Sequence, residues 1–403
     1  MQALGLSLNA EMHFDFKLQA NASCLDFQWY DSQTMKRTNI DKPLAFIIAM
    51  LVIGGCLIFS SAALGLLARG SGSITSVAAN HLVLGVGLGF VLLIITTLID
   101  YKTWRRFAPY IYCAGLLLTA LVFVPHLGVE HGGGRRWIII FGTSFQPSEA
   151  LKLACIIITA AYCAGIRGQI KTFTHGLGAF FALLAPPAIL MFLQPDLGTF
   201  GVMGFSVFAI FWAAGIQLRD VCIIAITGLL ALSILVVVKP YVRDRVETFF
   251  DPTKGAQEEG YQIRQSLIAI GSGGLFGRGF GQGIQKFTYL PEPMGDSIFA
   301  VAGEELGFAG TTSIIALFCL FALRGFQIAS RVTDPFAAYL AIGISVYLSI
   351  EAFINIAAML GVAPLTGIPL TFISQGGSAI LVSLASAGIL LNISRKHAQQ
   401  KTV

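Results

Sequence analysis

Ionisable side chains interrupt several long apolar stretches of the chain. Glu149 and Lys152 lie three residues apart, and Asp196 follows a proline beside another apolar run. Glu304 and Glu305 are adjacent to each other near the start of a third run. Charged groups within a membrane are costly and are candidates for function. On one helix face, Glu149 and Lys152 would neutralise each other, so a structural and a functional interpretation of that pair both stay open.

Two more polar groups lie close to the ends of apolar runs. Arg135, Arg136 and Trp137 form a basic and aromatic corner between two such runs. Glu351 and Asn355 are four residues apart, which places them on one face of a helix. These groups indicate a polar site toward one face of a membrane protein.

A glycine-rich stretch at 277–283 has glycine at every second position, and two basic residues, Arg278 and Lys286, lie near its two ends. Such a backbone can present N–H groups to a phosphate. The stretch does not follow a βαβ strand, so it does not indicate a dinucleotide site. A phosphate-binding turn and a re-entrant turn both remain open.

The composition requires a membrane to position these groups. Of the 403 residues, 55% are hydrophobic and only 12% are charged. Average globular domains carry roughly 25% charged residues, so a soluble protein and a disordered chain are both excluded. The net charge of +5 does not indicate a nucleic-acid partner. The seven cysteines show no metal-ligand spacing.

Hydropathy predicts an all-α polytopic membrane protein. A spanning helix needs about 20 mostly apolar residues. Ten such runs occur, at 44–67, 79–100, 107–126, 148–166, 173–193, 198–216, 219–238, 298–323, 334–360 and 367–394. The long loop 239–297 between the seventh and eighth runs holds seven basic and seven acidic residues. A connection of this length is usually functional when it is ordered.

The distribution of Lys and Arg predicts the orientation, because short cytoplasmic loops are enriched in them. The pattern places both termini in the cytoplasm and the loop 239–297 outside the cytoplasmic membrane. The predicted domains are a cytoplasmic tail 1–42, a single membrane domain 43–396 and a second cytoplasmic tail 397–403. We hypothesise that translation begins at Met35 and that 1–34 is an annotation extension, because a compact basic leader starts there.

Five blocks of sequence then resemble one family, the SEDS proteins (shape, elongation, division and sporulation). They are HGGGRRWI at 131–138 with QPSEALK at 146–152, QPDLGT at 194–199, YLPE at 289–292 with DSIFA at 296–300 and GEELG at 303–307, GIPLTFIS at 367–374 with GGS at 376–378, and LNISR at 391–395. The blocks occur in order over most of the chain. The division-type (FtsW-like) branch is the more similar, and Ser60 and Ser61 favour it.

The resemblance implies a peptidoglycan glycosyltransferase that polymerises lipid II, an undecaprenyl-pyrophosphate-linked disaccharide peptide, at the division septum. It implies that Asp296 is the essential acid, and a general base for the acceptor hydroxyl fits that residue. Candidates for binding the pyrophosphate are Arg135, Arg136, Trp137, Lys152, Arg278 and Lys286. Supporting residues from the matching strings are Gln146, Glu149, Asp196, Glu292, Glu304, Glu305 and Ser374.

The resemblance also implies partners, namely a class B penicillin-binding protein, which is a transpeptidase, and other divisome proteins. No cofactor is required by the sequence, and a divalent cation stays open. Three alternatives remain: a lipid II flippase, a scaffold that recruits the transpeptidase, and an elongation-type (RodA-like) polymerase. We see no internal repeat of the kind that transporters often show, so the enzyme is preferred.

Overall fold

A computed structural model describes residues 40–69, 80–125, 127–131, 134–140, 143–166, 168–251 and 259–400. The hypothesis that translation starts at Met35 concerns residues outside this part of the chain. Most of the predicted tail 1–42 and the last residues of the tail 397–403 also lie outside it.

Helices account for most of the described residues. In chain order they are α1 (Lys42–Arg69), α2 (Leu88–Leu98), α3 (Tyr101–Ala120), α4 (Pro147–Gly165), α5 (Ala179–Leu193), α6 (Leu197–Ala213), α7 (Leu218–Val238), α8 (Pro240–Phe250), α9 (Glu259–Ser272), α10 (Gln285–Thr288), α11 (Ile298–Arg331), α12 (Pro335–Met359) and α13 (Gly377–Gln400). Short π-helical segments precede α2 and α5, at Asn80–Gly87 and Thr174–Gly178.

The prediction of ten spanning helices is confirmed. In the described part of the chain, nine helices are long and apolar enough to cross a membrane, when the π-helical segments before α2 and α5 are counted with those helices. The tenth is α6, whose 17 residues are apolar and span about 26 Å at 1.5 Å per residue. The spans are α1 to α7 and α11 to α13, so α8, α9 and α10 belong to the long connection after the seventh span.

A small antiparallel sheet between α3 and α4 was not predicted. Its strands are β1 (Gly128–His131), β2 (Gly134–Ile140) and β3 (Thr143–Phe145), in the order β1-β2-β3. Gly128 pairs with Ile138, and Ile138 pairs with Phe145 on its other side. Hydropathy over long windows misses strands of three to seven residues, which carry a weaker pattern than a spanning helix.

The spans differ greatly in burial. In α4, α12 and α13, about two thirds or more of the most apolar stretch is buried inside the bundle, whereas the most apolar stretch of α7 has no buried residue. The core therefore lies around α4, α12 and α13, and α7 is peripheral.

The helix α11 is broken at Gly307, whose φ of 68° and ψ of −165° are not helical. The glycine-rich turn fills this break. Arg278 N and Gly279 N donate to the carbonyl oxygens of Glu304 and Glu305, at 3.0 and 3.1 Å. On the other side of the break, Phe308 N and Ala309 N donate to carbonyls of residues 274 and 275. A broken helix is tolerated in a membrane when other groups satisfy its backbone in this way.

Close approach of two backbones explains why glycine is needed on both sides of the break. A Cβ on Gly277 would lie 2.0 Å from the carbonyl oxygen of Glu305, and one on Gly307 would lie 2.3 Å from the nitrogen of Gly277. The turn thus enters beside Gly307, the tenth residue of α11, about 14 Å along its axis. This geometry supports the re-entrant interpretation of the glycine-rich stretch.

Four connections meet at one end of the bundle, which we call the loop end. They are the α3–α4, α5–α6, α7–α11 and α12–α13 connections. Arg136 of the first donates to carbonyls of the second, and Ser374 of the fourth donates to a carbonyl of the third. At the opposite end, Arg324 pairs with Asp41 at 2.8 Å.

Candidate active site

Asp296 lies at the loop end, two residues before the first residue of α11, and its side chain is partly exposed. Burial and, to a smaller extent, the nearby negative charge of Glu292 raise the pKa of this carboxyl, which lies at about 6 instead of the usual 3.8. The positive charges of Arg245 and Arg136 lower the same pKa. Such a carboxyl titrates close to neutral pH, where a general base is most effective.

Arg136 on β2 connects the small sheet to the α5–α6 turn. Its guanidinium donates to the carbonyl oxygen of Gln194 at 3.1 Å and to that of Pro195. It lies 4.0 Å from a carboxylate oxygen of Asp196 and remains 20% exposed. These contacts fix the position of the guanidinium, whose positive charge lowers the pKa of the Asp296 carboxyl.

Asp196 is the N-cap of α6, and it collects donors from the start of α4. Its carboxylate accepts from the amide of Thr199 at 3.4 Å, from Nε2 of Gln146 at 3.1 Å and from the hydroxyl of Ser148 at 3.5 Å. The predicted residues Gln146 and Asp196 are therefore brought together, and they join α4 to α6 beneath Arg136.

The helix α8 adds two residues that the sequence did not predict as site residues. The positive charge of Arg245 lowers the pKa of Asp296. Burial raises the pKa of Tyr241, while Arg245 and Arg136 lower it and Asp196 raises it. Both side chains thus lie in the electrostatic field of the site. Their four-residue spacing after a proline was the available signal, because it places them on one face of a helix.

Lys152 lies in the core. Its ammonium is 2.7 Å from Glu351 of α12 and 2.9 Å from Glu149 of its own helix, and it lies over the ring of Tyr347. The predicted pair of Glu149 and Lys152 is present, and Glu351 is the partner that the spacing could not show. The side chain of Lys152 is 1% exposed. The pyrophosphate role suggested for it stays a prediction.

Lys286 is equally buried. Its ammonium donates to Glu305 at 2.6 Å and to the hydroxyl of Ser61 in α1 at 2.7 Å. Arg278 is exposed, and its guanidinium lies 3.7 Å from Glu304. Carboxylates of α11 already neutralise these two cations. The pyrophosphate-binding role predicted for them stays a prediction.

The glycine-rich turn does bind anions through its backbone, but they are the chain's own carboxylates. Glu304 accepts from the amides of Ile284 and Gln285 at 2.8 and 3.0 Å. Glu305 accepts from the amide of Gly281 at 3.1 Å. The turn is therefore fixed to α11 by these contacts.

Of the remaining predicted residues, Ser374 contacts the turn that carries Asp296, and Glu292 belongs to that turn and is exposed. Trp137 is half-buried on β2, and Arg135 beside it is exposed. Across the described ranges, no three His, Cys, Asp or Glu residues are arranged to hold a metal ion.

These features define a class of protein: a multi-pass membrane protein with a carboxyl of raised pKa at one end of its helix bundle, within the electrostatic field of two arginines. A family model described as a cell cycle protein, that of FtsW, RodA and SpoVE, matches residues 42–399. The chain belongs to this family, which confirms the resemblance to the SEDS proteins.

Individual relatives are similar over most of their length. The probable peptidoglycan glycosyltransferase FtsW of Geobacter sulfurreducens is 39% identical over 309 residues, covering 77% of this chain and 83% of that protein. The stage V sporulation protein E of Bacillus subtilis is 36% identical, covering 90% and 99%.

Solved structures share the fold. One chain from "Structural coordination of polymerization and crosslinking by a peptidoglycan synthase complex" has a TM-score of 0.70 at 28% identity, covering 89% of this chain and 98% of that one. The rod shape determining protein RodA of Thermus thermophilus has a TM-score of 0.66, also at 28% identity and with the same coverage.

Proposed function

We propose that this protein is a division-type peptidoglycan glycosyltransferase that polymerises lipid II into glycan strands. The observation that carries the proposal is the carboxyl of Asp296, partly exposed, with a pKa of about 6 and with the charges of Arg136 and Arg245 acting on it. The relatives named as FtsW glycosyltransferases support the same activity.

In the proposed reaction, ionised Asp296 accepts the proton of the acceptor sugar hydroxyl. A lone pair of the deprotonated hydroxyl oxygen attacks the anomeric carbon of the donor sugar, and the bond between that carbon and the undecaprenyl pyrophosphate breaks. The leaving group carries away negative charge, which Arg136 and Arg245 stabilise. Arginine suits this role because its planar guanidinium can bind two phosphate oxygens at once. A fixed cation of this kind lowers the barrier without reorganising during the reaction.

The proposed orientation places the loop end outside the cytoplasm and both termini inside. Basic residues gathered at the opposite end support it, since cytoplasmic loops are enriched in them. They are Lys42, Lys102, Arg105, Arg106, Arg219, Arg324, Arg331 and Arg395. The site would then face the compartment in which cell wall is made.

Partners and site of action follow from the same proposal. A class B penicillin-binding protein is the expected transpeptidase partner, together with other divisome proteins at the septum. A similar chain in a complex that coordinates polymerization with crosslinking supports the first of these. The similarity to RodA supports an elongation-type polymerase as the second candidate. Depletion of the protein separates the two, since filaments indicate division and round cells indicate elongation.

The activity is tested with purified protein and labelled lipid II. We expect glycan strands from the wild type and none from Asp296→Asn. Asp244→Asn is the matched control, because it removes the same charge from an exposed residue of the same connection. Polymerisation by Asp296→Asn at the wild-type rate would exclude Asp296 as the base. Movement of labelled lipid across vesicles with no polymer would favour the flippase.

A further inference from the structure

The turn that carries Asp296 is anchored through its backbone carbonyl groups. Three consecutive carbonyl oxygens in it each accept a hydrogen bond from α12 or from the α12–α13 connection. Met294 O accepts from the amide of Gln375 at 2.7 Å, and Gly295 O accepts from the hydroxyl of Ser374 at 2.8 Å. Asp296 O itself accepts from Nδ2 of Asn355 at 2.9 Å.

Asn355 is the only side chain among these donors that belongs to a spanning helix. Its second Nδ2 hydrogen is donated to the carbonyl oxygen of Ile368 at 2.8 Å, and the residue is 1% exposed. Both acceptors are carbonyl oxygens, which only the NH₂ group of the amide can bind, so its orientation is determined. One side chain therefore holds the Asp296 turn and the α12–α13 connection together.

The hydrogen bond from Asn355 to Ile368 holds a segment that lies beside the carboxylate of Asp296. Ile368 follows Gly367, and a Cβ on Gly367 would lie 3.6 Å from Oδ2 of Asp296. The segment that Asn355 holds therefore forms one wall beside the carboxylate. Loss of the amide would release both the backbone of Asp296 and this wall.

An ion pair one helical turn away on α12 fixes the position of Asn355. Glu351 precedes it by one helical turn and binds the ammonium of Lys152 at 2.7 Å. This pair joins α12 to α4, and both helices are largely buried. The ion pair in the core thus holds α12 in the position from which Asn355 reaches the Asp296 turn.

We propose that Asn355 is a positioning residue for Asp296. This inference rests on the proposed function, because it assigns Asn355 to the same reaction. Asn355 does not touch the reacting groups in this arrangement; it fixes the distance and direction of the base. A displacement of about 1 Å in such a group can cost 100-fold in rate.

The test measures initial rates of lipid II polymerisation across a pH series for the wild type and two variants. Asn355→Leu retains the side-chain volume and removes both donors, and Asn355→Ala removes the side chain. Asn392→Leu is the matched control. Asn392 is a buried amide at the opposite end, where it donates to Thr97 O at 2.8 Å. Melting temperatures in detergent are recorded for every protein.

We expect both Asn355 variants to lower kcat by about 10- to 100-fold with KM for lipid II unchanged, as for a lost positioning contact. We also expect the acidic limb of the rate profile to move to lower pH, because a displaced Asp296 gains water and its pKa falls. Asn392→Leu should lower the melting temperature and keep the wild-type profile.

A wild-type kcat and pH profile in folded Asn355→Leu would overturn the inference. If neither Asn355 variant folds, Ser374→Ala carries the test, since it removes the donor to the adjacent carbonyl. The same shift in that variant supports the inference, and a wild-type profile overturns it. Absence of polymerisation in the wild type would instead refute the proposed function.

Discussion

Asp296 and Glu305 lie nine residues apart in one motif-rich stretch, and each has a cation nearby. Glu305 is 3% exposed, and its carboxylate accepts from Lys286, Ser61 and a backbone amide. Asp296 is partly exposed, and its pKa is raised to about 6. Buried pairs with complete hydrogen bonding stabilise a single arrangement, whereas a desolvated carboxyl open to one side can exchange a proton. Similarity of motif alone does not separate these two roles.

The largest expected effect comes from breaking the buried pair. Lys286→Met leaves Glu305 buried without its cation, and we expect a loss of about 3–5 kcal/mol in stability. Lys286→Met/Glu305→Gln should regain most of it, because no buried charge remains and the amide can still accept from Gly281. Thermal unfolding in detergent measures both.

The same double variant tests whether Lys286 has a structural role only. If Lys286 serves only the fold, the refolded double variant should polymerise lipid II at a rate close to that of the wild type. A folded double variant without activity would show that Lys286 contacts the substrate after all, and the contrast between the two carboxylates would then fail.

A smaller effect is expected at the open site. Arg245→Gln should lower kcat/KM by about 100-fold through the loss of one fixed charge. It should also move the acidic limb to higher pH, because Arg245 lowers the pKa of Asp296. Arg243→Gln is the control, since Arg243 is exposed and pairs with Glu247 on the same helix. Equal effects of the two substitutions would argue against a role specific to Arg245.

The smallest expected effect is that of pH on the wild type. A base must be ionised, so kcat/KM should decrease as pH falls through about 6, the pKa of Asp296, by about tenfold per unit in the acidic limit. Initial rates with subsaturating lipid II measure this, with unfolding monitored at each pH. A rate that stays constant down to roughly pH 5 would contradict the assignment of the base.

Much of the fold could be predicted from the sequence, because a spanning helix requires a long apolar run whatever its neighbours are. Ten runs became ten helices, and the string around 146–152 yielded the contact between Glu149 and Lys152. The sheet was missed because its strands are short. The break at Gly307 was also missed, since its cause lies in the backbone of a turn thirty residues earlier.

The site was only partly predictable for a related reason. Asp296 and Arg136 were found because they belong to recognisable strings. The sequence could not distinguish Lys152, paired in the core, from a cation at the site, because Glu351 is 199 residues away. Arg245 was missed because α8 has no matching string. Burial and long-range pairing decide these roles, and neither can be read from spacing.

The role of Asp296 as the base is tested by the activity and melting temperature of Asp296→Asn at about pH 7.5, well above the pKa of about 6. Since burial raises this pKa, the ionised carboxyl destabilises the fold above pH 6, and this cost decreases progressively as pH falls from about 6 to 3.8. We expect the variant to make no glycan and to melt at or above the wild-type temperature. Glycan at the wild-type rate would exclude Asp296 as the base, and an inactive variant that melts well below the wild type would indicate a structural role for Asp296 instead.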